Sequence, residues 1–431
     1  MALSYKEAQL VKGTLTALRE HGETITSLFY ENMLREHPEL HNIFNRVNLV
    51  NGSQPRALCR VILTFASNIN NITELIPQLE RTCNKHCSLG IQPEHYELIS
   101  PYLLDAFGQV LGGGMTPAVR DAWAKAYRLL SRMLSARESQ IYGSFRWSGW
   151  RRFRIDRKVA EADDVWSLYL VPSDGKPVPS FMPGQYVSAQ VHMADLGHNQ
   201  ARQYSLSNAP SDGPGSSYRI TVQRDLGARH ANAVSACHFN PGIVSNQLVD
   251  LSVGDVLNLS NPSGDFFLDP TASSVPLVFM SAGIGIAPMV AMANAALQTQ
   301  PNRLISWSYV SESRFPPFRS HIKQLAQKYP NLETYSSFEE QDLLLDRGGT
   351  EYYICGSEDA VPLMVKRLTD AGVHPSRVKV EEFRTGERAK PVQQIASVCG
   401  SSAGYSHSGA AEGTRCPVNS GHGISLEFIS S

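Results

Sequence analysis

One histidine in the first third of this 431-residue chain lies where a buried ligand would lie. His86 continues an apolar stripe of Leu75, Leu79 and Cys83, so its ring is expected to face the protein interior. A histidine on an apolar face is more often a core residue with one hydrogen-bond partner than a ligand. Cys83 and Cys87 are spaced to share a metal, but no second Cys/His pair follows at zinc-site spacing. The residues alone leave both interpretations open.

Four other polar residues extend or adjoin apolar helical stripes in the same region. They are Tyr30, Gln54, Tyr96 and Glu138. Each alone is compatible with a residue at a helix end or with a core residue that has one partner. Because buried polar groups need partners, four of them in one small domain are expected to converge.

A second cluster of chemically capable residues is Arg202-Gln203-Tyr204-Ser205-Leu206. It combines a fixed charge for a phosphate, an aromatic face for a ring and a hydroxyl for a polar ring edge. Alone, this short pattern is also that of an ordinary strand. It is preceded by Pro183-Gly184-Gln185-Tyr186 and followed by Gly264-Asp265-Phe266-Phe267. Between them lies Gly242-Ile243-Val244-Ser245-Asn246, a turn into a helix whose exposed N–H groups could bind phosphate.

A glycine-rich turn, Ser281-Ala282-Gly283-Ile284-Gly285-Ile286-Ala287-Pro288, follows an apolar run and opens a helix-like segment. This is the position of a nucleotide phosphate loop. Its spacing is G-x-G-x-x-P and not the standard G-x-G-x-x-G, so a purely structural turn remains an alternative. Further on, Cys355-Gly356 ends the apolar run Tyr352-Tyr353-Ile354.

The elements that must position these residues fall into three regions with different sequence patterns. Residues 1–143 show helical periodicity, as in Ile99-Leu103-Phe107, and Thr116-Pro117 is a helix start signal. Residues 148–269 contain short strand-like runs separated by turns, which predicts an antiparallel β-barrel or sandwich. Residues 274–388 alternate strands and helices, which predicts a doubly wound parallel sheet. Residues 389–431, rich in Ser, Gly and Ala, are expected to be a disordered tail.

Composition excludes several classes of function. Lys and Arg total 39 against 40 Asp and Glu, a net charge of −1, which disfavours a dedicated nucleic-acid binder. No run approaches the roughly 20 apolar residues of a membrane span, and no signal peptide is visible. An odd number of cysteines, seven, suits a reducing compartment. We expect a cytoplasmic, monomeric protein of several domains without a membrane span.

Together and in this order, the motifs over about residues 5–388 resemble the flavohaemoglobins, in which a globin is fused to a ferredoxin-reductase-like module. The segments that carry the globin resemblance are Leu28-Phe29-Tyr30, Ile43-Phe44-Asn45, Asn51-Gly52-Ser53-Gln54, Lys85-His86, Pro93-Glu94-His95-Tyr96 and Arg137-Glu138. The resemblance implies haem b with His86 as its proximal ligand. It also implies a set of residues around that haem: Phe44 packed on it, Lys85 at its edge, Tyr30, Gln54 and Leu58 in the distal pocket, and Tyr96 with Glu138 behind the ligand.

The resemblance also implies FAD and NAD(P)H sites in the second half of the chain. The implied FAD contacts are Tyr186, Arg202, Gln203, Tyr204, Ser205 and the loop residues Gly242, Val244, Ser245 and Asn246. The implied NAD(P)H contacts are Gly283, Gly285, Pro288, Cys355 and Gly356, with Phe383 over the flavin. The chain departs from the family pattern at Pro55, at Ile286 (commonly Gln) and at Arg384-Thr385 (commonly Gly-Pro).

The implied function is an NAD(P)H-dependent nitric oxide dioxygenase, with electrons passing from NAD(P)H to FAD to haem and with NO and O2 as the small-molecule partners. Alternatives are an NAD(P)H oxidase or haem reductase, and an oxygen- or NO-sensing globin with a resetting reductase. The choice between NADH and NADPH stays open, because Ser311, Arg314 and Arg319 suit either a 2′-phosphate contact or a solvated loop. In the tail, Cys399, His407, Cys416 and His422 match no common metal-site spacing.

Overall fold

The computed structural model describes residues 3–210, 216–225, 242–311, 316–337, 344–345 and 349–383. Its first part is helical, with three short 3₁₀ turns between longer helices. The helices are α1 (Tyr5–Gly13), α2 (Leu15–Glu36), α3 (Arg46–Val50), α4 (Ser53–Ser67), α5 (Ile76–Leu89), α6 (Pro93–Leu111) and α7 (Pro117–Ser144).

Local signals set the ends of the helices that matter for the site. Thr116 caps α7 by accepting the Val119 N–H, and Pro117 occupies its first position, as the sequence predicts. Helix α5 ends at Gly90, whose φ of 80° is a left-handed value that glycine tolerates. Proline likewise opens α6. These signals end α5 and begin α6 as separate helices, and both pack beside the longer α7.

A single apolar core holds the helices together. Phe29, Phe107 and Trp123 lie in it, and the rings of Phe107 and Trp123 are 4.9 Å apart. Helix α2 packs on α4 and α6, while α7 packs on α5 and α6. Helix α7 therefore lies against both α5 and α6, so side chains from these three helices can meet.

The middle of the chain forms a six-stranded antiparallel sheet in the order β4-β3-β6-β1-β2-β5. Its elements are β1 (Arg151–Ala162), β2 (Val165–Pro172), β3 (Tyr186–Met193), β4 (His198–Ser205), β5 (Tyr218–Gln223), α8 (Ile243–Asp250) and β6 (Val256–Leu259). A bridge between Leu206 and Ile220 joins the end of β4 to β5, so the sheet curls toward a barrel around fully buried residues such as Phe153 and Tyr218.

The last part is a five-stranded parallel sheet in the order β11-β10-β7-β8-β9. Its elements are β7 (Leu277–Ala282), α9 (Ile286–Thr299), β8 (Ile305–Val310), α10 (Arg319–Lys328), β9 (Leu332–Tyr335), β10 (Glu351–Ser357), α11 (Ala360–Asp370) and β11 (Val378–Phe383). Strand order reverses between β7 and β10, which creates a crevice at their carboxyl ends. The predicted succession of an all-α part, an antiparallel sheet and a doubly wound parallel sheet is confirmed. None of the described helices is long and apolar enough to cross a membrane.

A buried asparagine fastens the connection between the helical part and the antiparallel sheet. Asn261 Oδ1 accepts the N–H groups of Arg146 and Trp147 at 2.8 and 3.3 Å, and its Nδ2 donates to the Trp147 carbonyl at 2.8 Å. Its side chain is buried. The connecting segment is therefore fixed through its backbone to the end of β6.

We expect Asn261→Ala to destabilise this connection. Two backbone N–H groups and one carbonyl lose their partner, a cost of about 1–3 kcal/mol. The first unfolding transition in differential scanning calorimetry should move to lower temperature. Asn302→Ala, at an exposed turn position, is the matched control and should leave that transition nearly unchanged. Equal melting of the two variants would contradict the anchoring role.

Candidate functional site

Helices α5, α6 and α7 bring His86, Tyr96 and Glu138 into one hydrogen-bonded cluster. Tyr96 Oη donates to Glu138 Oε1 at 2.6 Å, and His86 Nδ1 lies 2.8 Å from the same oxygen and 2.7 Å from Tyr96 Oη. Both Tyr96 and Glu138 are buried. A carboxylate acceptor places the imidazole proton on Nδ1, which leaves Nε2 as the nitrogen that can bind a metal. Burial, and then the negative charge of Glu138, raise the pKa of Tyr96, so the phenol stays protonated as a donor.

The two cysteines near His86, Cys83 and Cys87, are buried in the helical core. Burial, followed by the charge of Glu138, raises the pKa of the Cys83 thiol to about 12. Cys87 Sγ donates to the Glu138 carbonyl at 3.6 Å. Among the described residues no group of three or more His, Cys, Asp or Glu is arranged to hold a metal ion.

A second polar pair lies in the same helical core, between α2 and α4. Gln54 Nε2 donates to Tyr30 Oη at 3.1 Å. Because Gln54 supplies a donor, the phenol proton of Tyr30 is left to donate elsewhere. Burial raises the pKa of Tyr30 although Gln54 opposes this, so the proton is retained. The Phe44 ring stands edge-on to Tyr30 with centroids 5.4 Å apart, and Leu58 is partly buried against the same core.

Pro55 takes part in positioning Gln54. It is the third residue of α4, within the first turn, where proline is tolerated. Its carbonyl accepts the Thr26 hydroxyl at 2.8 Å from the facing helix α2. This bond ties the start of α4 to α2 and thereby sets how Gln54 meets Tyr30.

The predicted flavin contacts gather on the paired strands β3 and β4. Tyr186 pairs with Ser205, Val187 with Tyr204 and Ser188 with Gln203. Gln203 Nε2 donates to Ser188 Oγ at 3.0 Å. Burial raises the pKa of both Tyr186 and Tyr204, so these rings stay neutral.

Gly264 is needed for the ring of Tyr186. Its φ is +116°, and a Cβ there would lie 3.0 Å from the Tyr186 ring. The turn after β6 can therefore lie flat against the ring only with glycine at this position.

Arg202, the predicted phosphate cation, lies at the junction with the helical part. Its guanidinium donates to Asn45 Oδ1 and, at 2.7 Å, to the Ala201 carbonyl. Burial lowers its pKa to about 10, which still leaves it charged at neutral pH. The fixed charge of Arg202 thus lies where β4 meets the helical part.

The 242–246 segment begins α8, with Gly242 at the N-cap. Ser245 Oγ donates to the Gly242 carbonyl at 3.3 Å, and Val244 is buried in the sheet core. Asn246 exchanges hydrogen bonds with the Asp225 backbone at 2.8 and 2.9 Å. The side chains shape the turn, while backbone N–H groups of the first helical turn remain for an anion.

The glycine-rich turn sits in the crevice of the parallel sheet. Gly283 has φ +54°, and a Cβ on Gly285 would lie 2.3 Å from the Cys355 carbonyl. Pro288 is in the first turn of α9 and, like Ile286, is buried. Cys355 is fully buried, and burial raises the pKa of its thiol well above the ordinary value. The turn after β7 and the Cys355-Gly356 peptide are thus in close contact.

The structure describes some of the remaining predicted residues of this half and not others. Phe383 ends β11 opposite Ser357 and packs partly buried against the sheet core. Ser311 follows β8 and Arg319 opens α10. Arg314, Arg384-Thr385 and the tail residues Cys399, His407, Cys416 and His422 lie outside the described residues.

A set of polar contacts across the domains was not anticipated from the sequence. Asn84 Oδ1 accepts the Gly264 N–H at 3.0 Å, and Ser188 Oγ donates to Ser88 Oγ at 2.8 Å. Both Asn84 and Ser88 belong to α5, on the side away from His86. The signal was present in the sequence, because Arg81, Asn84, Lys85 and Ser88 recur at helical spacing and form a polar stripe.

Comparison with known proteins agrees with this arrangement. The globin family profile matches residues 27–134. A flavohemoprotein of Rhizobium meliloti is 35% identical over 410 residues, which cover 88% of this chain and 98% of that protein. A flavohemoprotein of Bacillus subtilis is 34% identical over 409 residues, which cover 88% of this chain and 97% of that protein.

A solved structure resembles the fold over nearly the same span. It is the flavohemoglobin from Malassezia yamatoensis with bound FAD and heme, 26% identical, with a TM-score of 0.77. The match covers 89% of this chain and all of that one. Since the similarity to curated relatives extends through both the helical and the reductase-like parts, the chain belongs to the flavohaemoglobin family of oxidoreductases.

Proposed function

We propose that this chain binds haem, FAD and NAD(P)H and acts as a nitric oxide dioxygenase that converts NO and O2 to nitrate. The observation that carries the proposal is the buried Tyr30 hydroxyl held by Gln54, in the same helical core as a histidine whose Nδ1 is fixed by a carboxylate. An electron carrier needs the second feature but not the first. A tyrosine that retains its proton is suited to a ligand on which negative charge develops.

The cofactors supply gas binding at iron, conversion of a hydride into single electrons, and the hydride itself. In the balanced reaction, two NO and two O2 accept the two electrons of one NAD(P)H and yield two nitrates, NAD(P)⁺ and a proton. The protein's contribution lies in orientation, hydrogen bonding and exclusion of water.

On the proximal side, Glu138 and Tyr96 act through His86. They hold the Nδ1 proton and fix the ring plane, which makes Nε2 a stronger electron donor to the metal. On the other side of the haem, Tyr30 would donate a hydrogen bond to a bound gas molecule, and Gln54 orients the phenol. Phe44 and Leu58 provide apolar walls.

In the reductase half, Arg202 and the first turn of α8 suit the FAD phosphates, while Tyr186 and Tyr204 offer ring faces to the flavin. Gly285 allows the turn after β7 to approach Cys355, which leaves a narrow crevice for the nicotinamide end. Phe383, at the carboxyl end of β11, is placed to cover the flavin.

The assay that tests the proposal is consumption of NO by the holoprotein with NAD(P)H and O2. We expect two nitrates for each NAD(P)H oxidised. NAD(P)H oxidation at an unchanged rate with or without NO, and without nitrate, would instead support the oxidase. Binding of gas without turnover would support a sensor.

We expect Tyr30→Phe to accelerate O2 dissociation and to slow NO turnover. The loss of one hydrogen bond to a ligand with charge character costs about 1.5–3 kcal/mol, or roughly tenfold to a hundredfold. Stopped-flow measurement of the O2 dissociation rate checks this. Tyr5→Phe, at an exposed tyrosine, is the control. An O2 dissociation rate equal to that of the wild type would rule out the assigned role.

We expect His86→Ala to lose the haem while the reductase half stays intact. The purified variant should lack a Soret band but keep its flavin absorbance, and NAD(P)H should still bleach the flavin at the wild-type rate. A normal haem spectrum in this variant would refute His86 as the ligand.

We expect Gly285→Val to keep the haem but to impair flavin reduction by NAD(P)H. The added carbons would collide with the Cys355 carbonyl, which lies 2.3 Å from the position of a Cβ. Haem and flavin absorbance should remain, and flavin reduction by NAD(P)H should fall by roughly a hundredfold, since small misplacements of reacting groups have effects of that size. Gly143→Ala has open space and is the control. Normal flavin reduction in Gly285→Val would exclude this crevice as the nicotinamide site.

A further inference from the structure

Arg81 touches all three parts of the molecule with one side chain. It projects from α5, five residues before His86. Its Nη2 donates to the Val380 carbonyl on β11 at 2.7 Å. The same nitrogen lies 3.4 Å from Glu381 Oε2, and its Nε donates to Asp265 Oδ1 at 3.4 Å. One side chain of the helical part thus binds both the turn after the antiparallel sheet and the last strand of the parallel sheet.

We propose that Arg81 is a positioning residue that fixes the flavin-side turn at Asp265 and the terminal strand β11 onto the helix that carries His86. This inference rests on the proposed function, because it concerns the passage of electrons from flavin to haem. It assigns Arg81 no contact with a cofactor.

The chemistry of the side chain suits this role. A guanidinium is planar and permanently charged, and its several N–H groups point in different directions, so it can bind a carbonyl and two carboxylates at once. The Arg81 and Glu381 side chains are 29% and 14% exposed, so water screens their attraction only in part. A lysine ammonium carries its three donors on one nitrogen and lacks the planar fork of a guanidinium.

The partners of Arg81 are themselves attached to the flavin and nicotinamide regions. Asp265 follows Gly264, which lies against the Tyr186 ring. Glu381 is in register with Cys355 on β10 and lies two residues before Phe383. Movement of β11 relative to α5 would therefore move Phe383 and the neighbouring crevice relative to the haem side.

Two other residues of the polar stripe of α5, Asn84 and Ser88, bind the side of the antiparallel sheet. Asn84 binds the Gly264 N–H, and Ser88 binds Ser188. Arg81 supplies a hydrogen bond and an ion pair between α5 and β11. Its removal should loosen β11 while leaving the sheet-side contacts in place.

The test is anaerobic rapid mixing of the holoprotein with NAD(P)H, following flavin and haem absorbance separately. In Arg81→Ala, flavin reduction should proceed at nearly the wild-type rate, while haem reduction should slow by roughly tenfold or more. Arg81→Lys should recover part of the rate. Arg132→Ala, an exposed arginine of α7, is the control of equal charge change. Haem reduction at the wild-type rate in Arg81→Ala would overturn the proposal.

Hydrogen–deuterium exchange gives a readout that does not depend on turnover. The amides of residues 378–383 should exchange faster in Arg81→Ala than in the wild type or in Arg132→Ala, and unchanged exchange would also overturn the proposal. If Arg81→Ala fails to fold, Asp265→Asn should produce the same selective slowing of haem reduction to a smaller degree. A protein that reduces its haem normally but makes no nitrate would fail the proposed function and leave the role of Arg81 standing.

A pH profile separates positioning from a general structural role. Burial raises the pKa of Glu381 to about 7, and the charge of Arg81 opposes this rise. The charged or titratable groups around Glu381 are Arg81 and Lys85 from α5, Tyr186 from β3, Asp265 from the turn after β6, Cys355 from β10, and the adjacent Glu382. As the pH falls through about 7, Glu381 takes up a proton and loses its attraction for Arg81.

Haem reduction in the wild type should therefore slow as the pH falls through this window. In Arg81→Ala, the part of the pH dependence that arises from this ion pair should disappear. An identical pH profile in the two proteins would contradict the ion-pair component of the proposal.

Discussion

Helix α5 has to serve two domains at once, and the arrangement of the molecule follows from that constraint. One face carries His86 into the helical core, where Glu138 and Tyr96 fix its Nδ1 proton. The opposite face carries Arg81, Asn84 and Ser88 to the reductase half. Side chains on opposite faces of one helix are about 10 Å apart. A single rigid element can therefore keep His86, the proposed haem ligand, and the proposed flavin-binding surface at a fixed separation.

The two sheets carry the proposed flavin and nicotinamide contacts, which α5 does not provide. The antiparallel sheet presents Tyr186 and Tyr204 on paired strands, and glycine at position 264 permits close contact with the ring. The parallel sheet reverses its strand order between β7 and β10, so the glycine-rich turn and Cys355 meet at one edge. Buried thiols and phenols in both halves stay protonated because burial raises their pKa values. These thiols and phenols thus have little tendency to ionise.

Local patterning predicted the parts of this structure that depend on neighbours in the chain. Helical periodicity placed Glu138 and His86 on buried faces. The need of buried polar groups for partners predicted that Tyr30, Gln54, Tyr96 and Glu138 would converge, and they meet as two pairs, Tyr96 with Glu138 and Gln54 with Tyr30. Strand β1 was harder to predict, because register shifts after Ile155 and Ala160 interrupt its alternation. Contacts between domains, such as Arg202 with Asn45, join residues far apart in sequence, and no local periodicity encodes them. The polar stripe of α5 can be recognised in the sequence, but the residues that it contacts in the two sheets cannot.

Anaerobic mixing of the wild-type holoprotein with NAD(P)H tests the central claim most directly, that one helix couples a flavin to a haem. The account predicts that flavin absorbance falls first and that the Soret band then shifts to its ferrous position, within the same molecule and independently of protein concentration. Complete reduction of the flavin with a haem that remains ferric would contradict it.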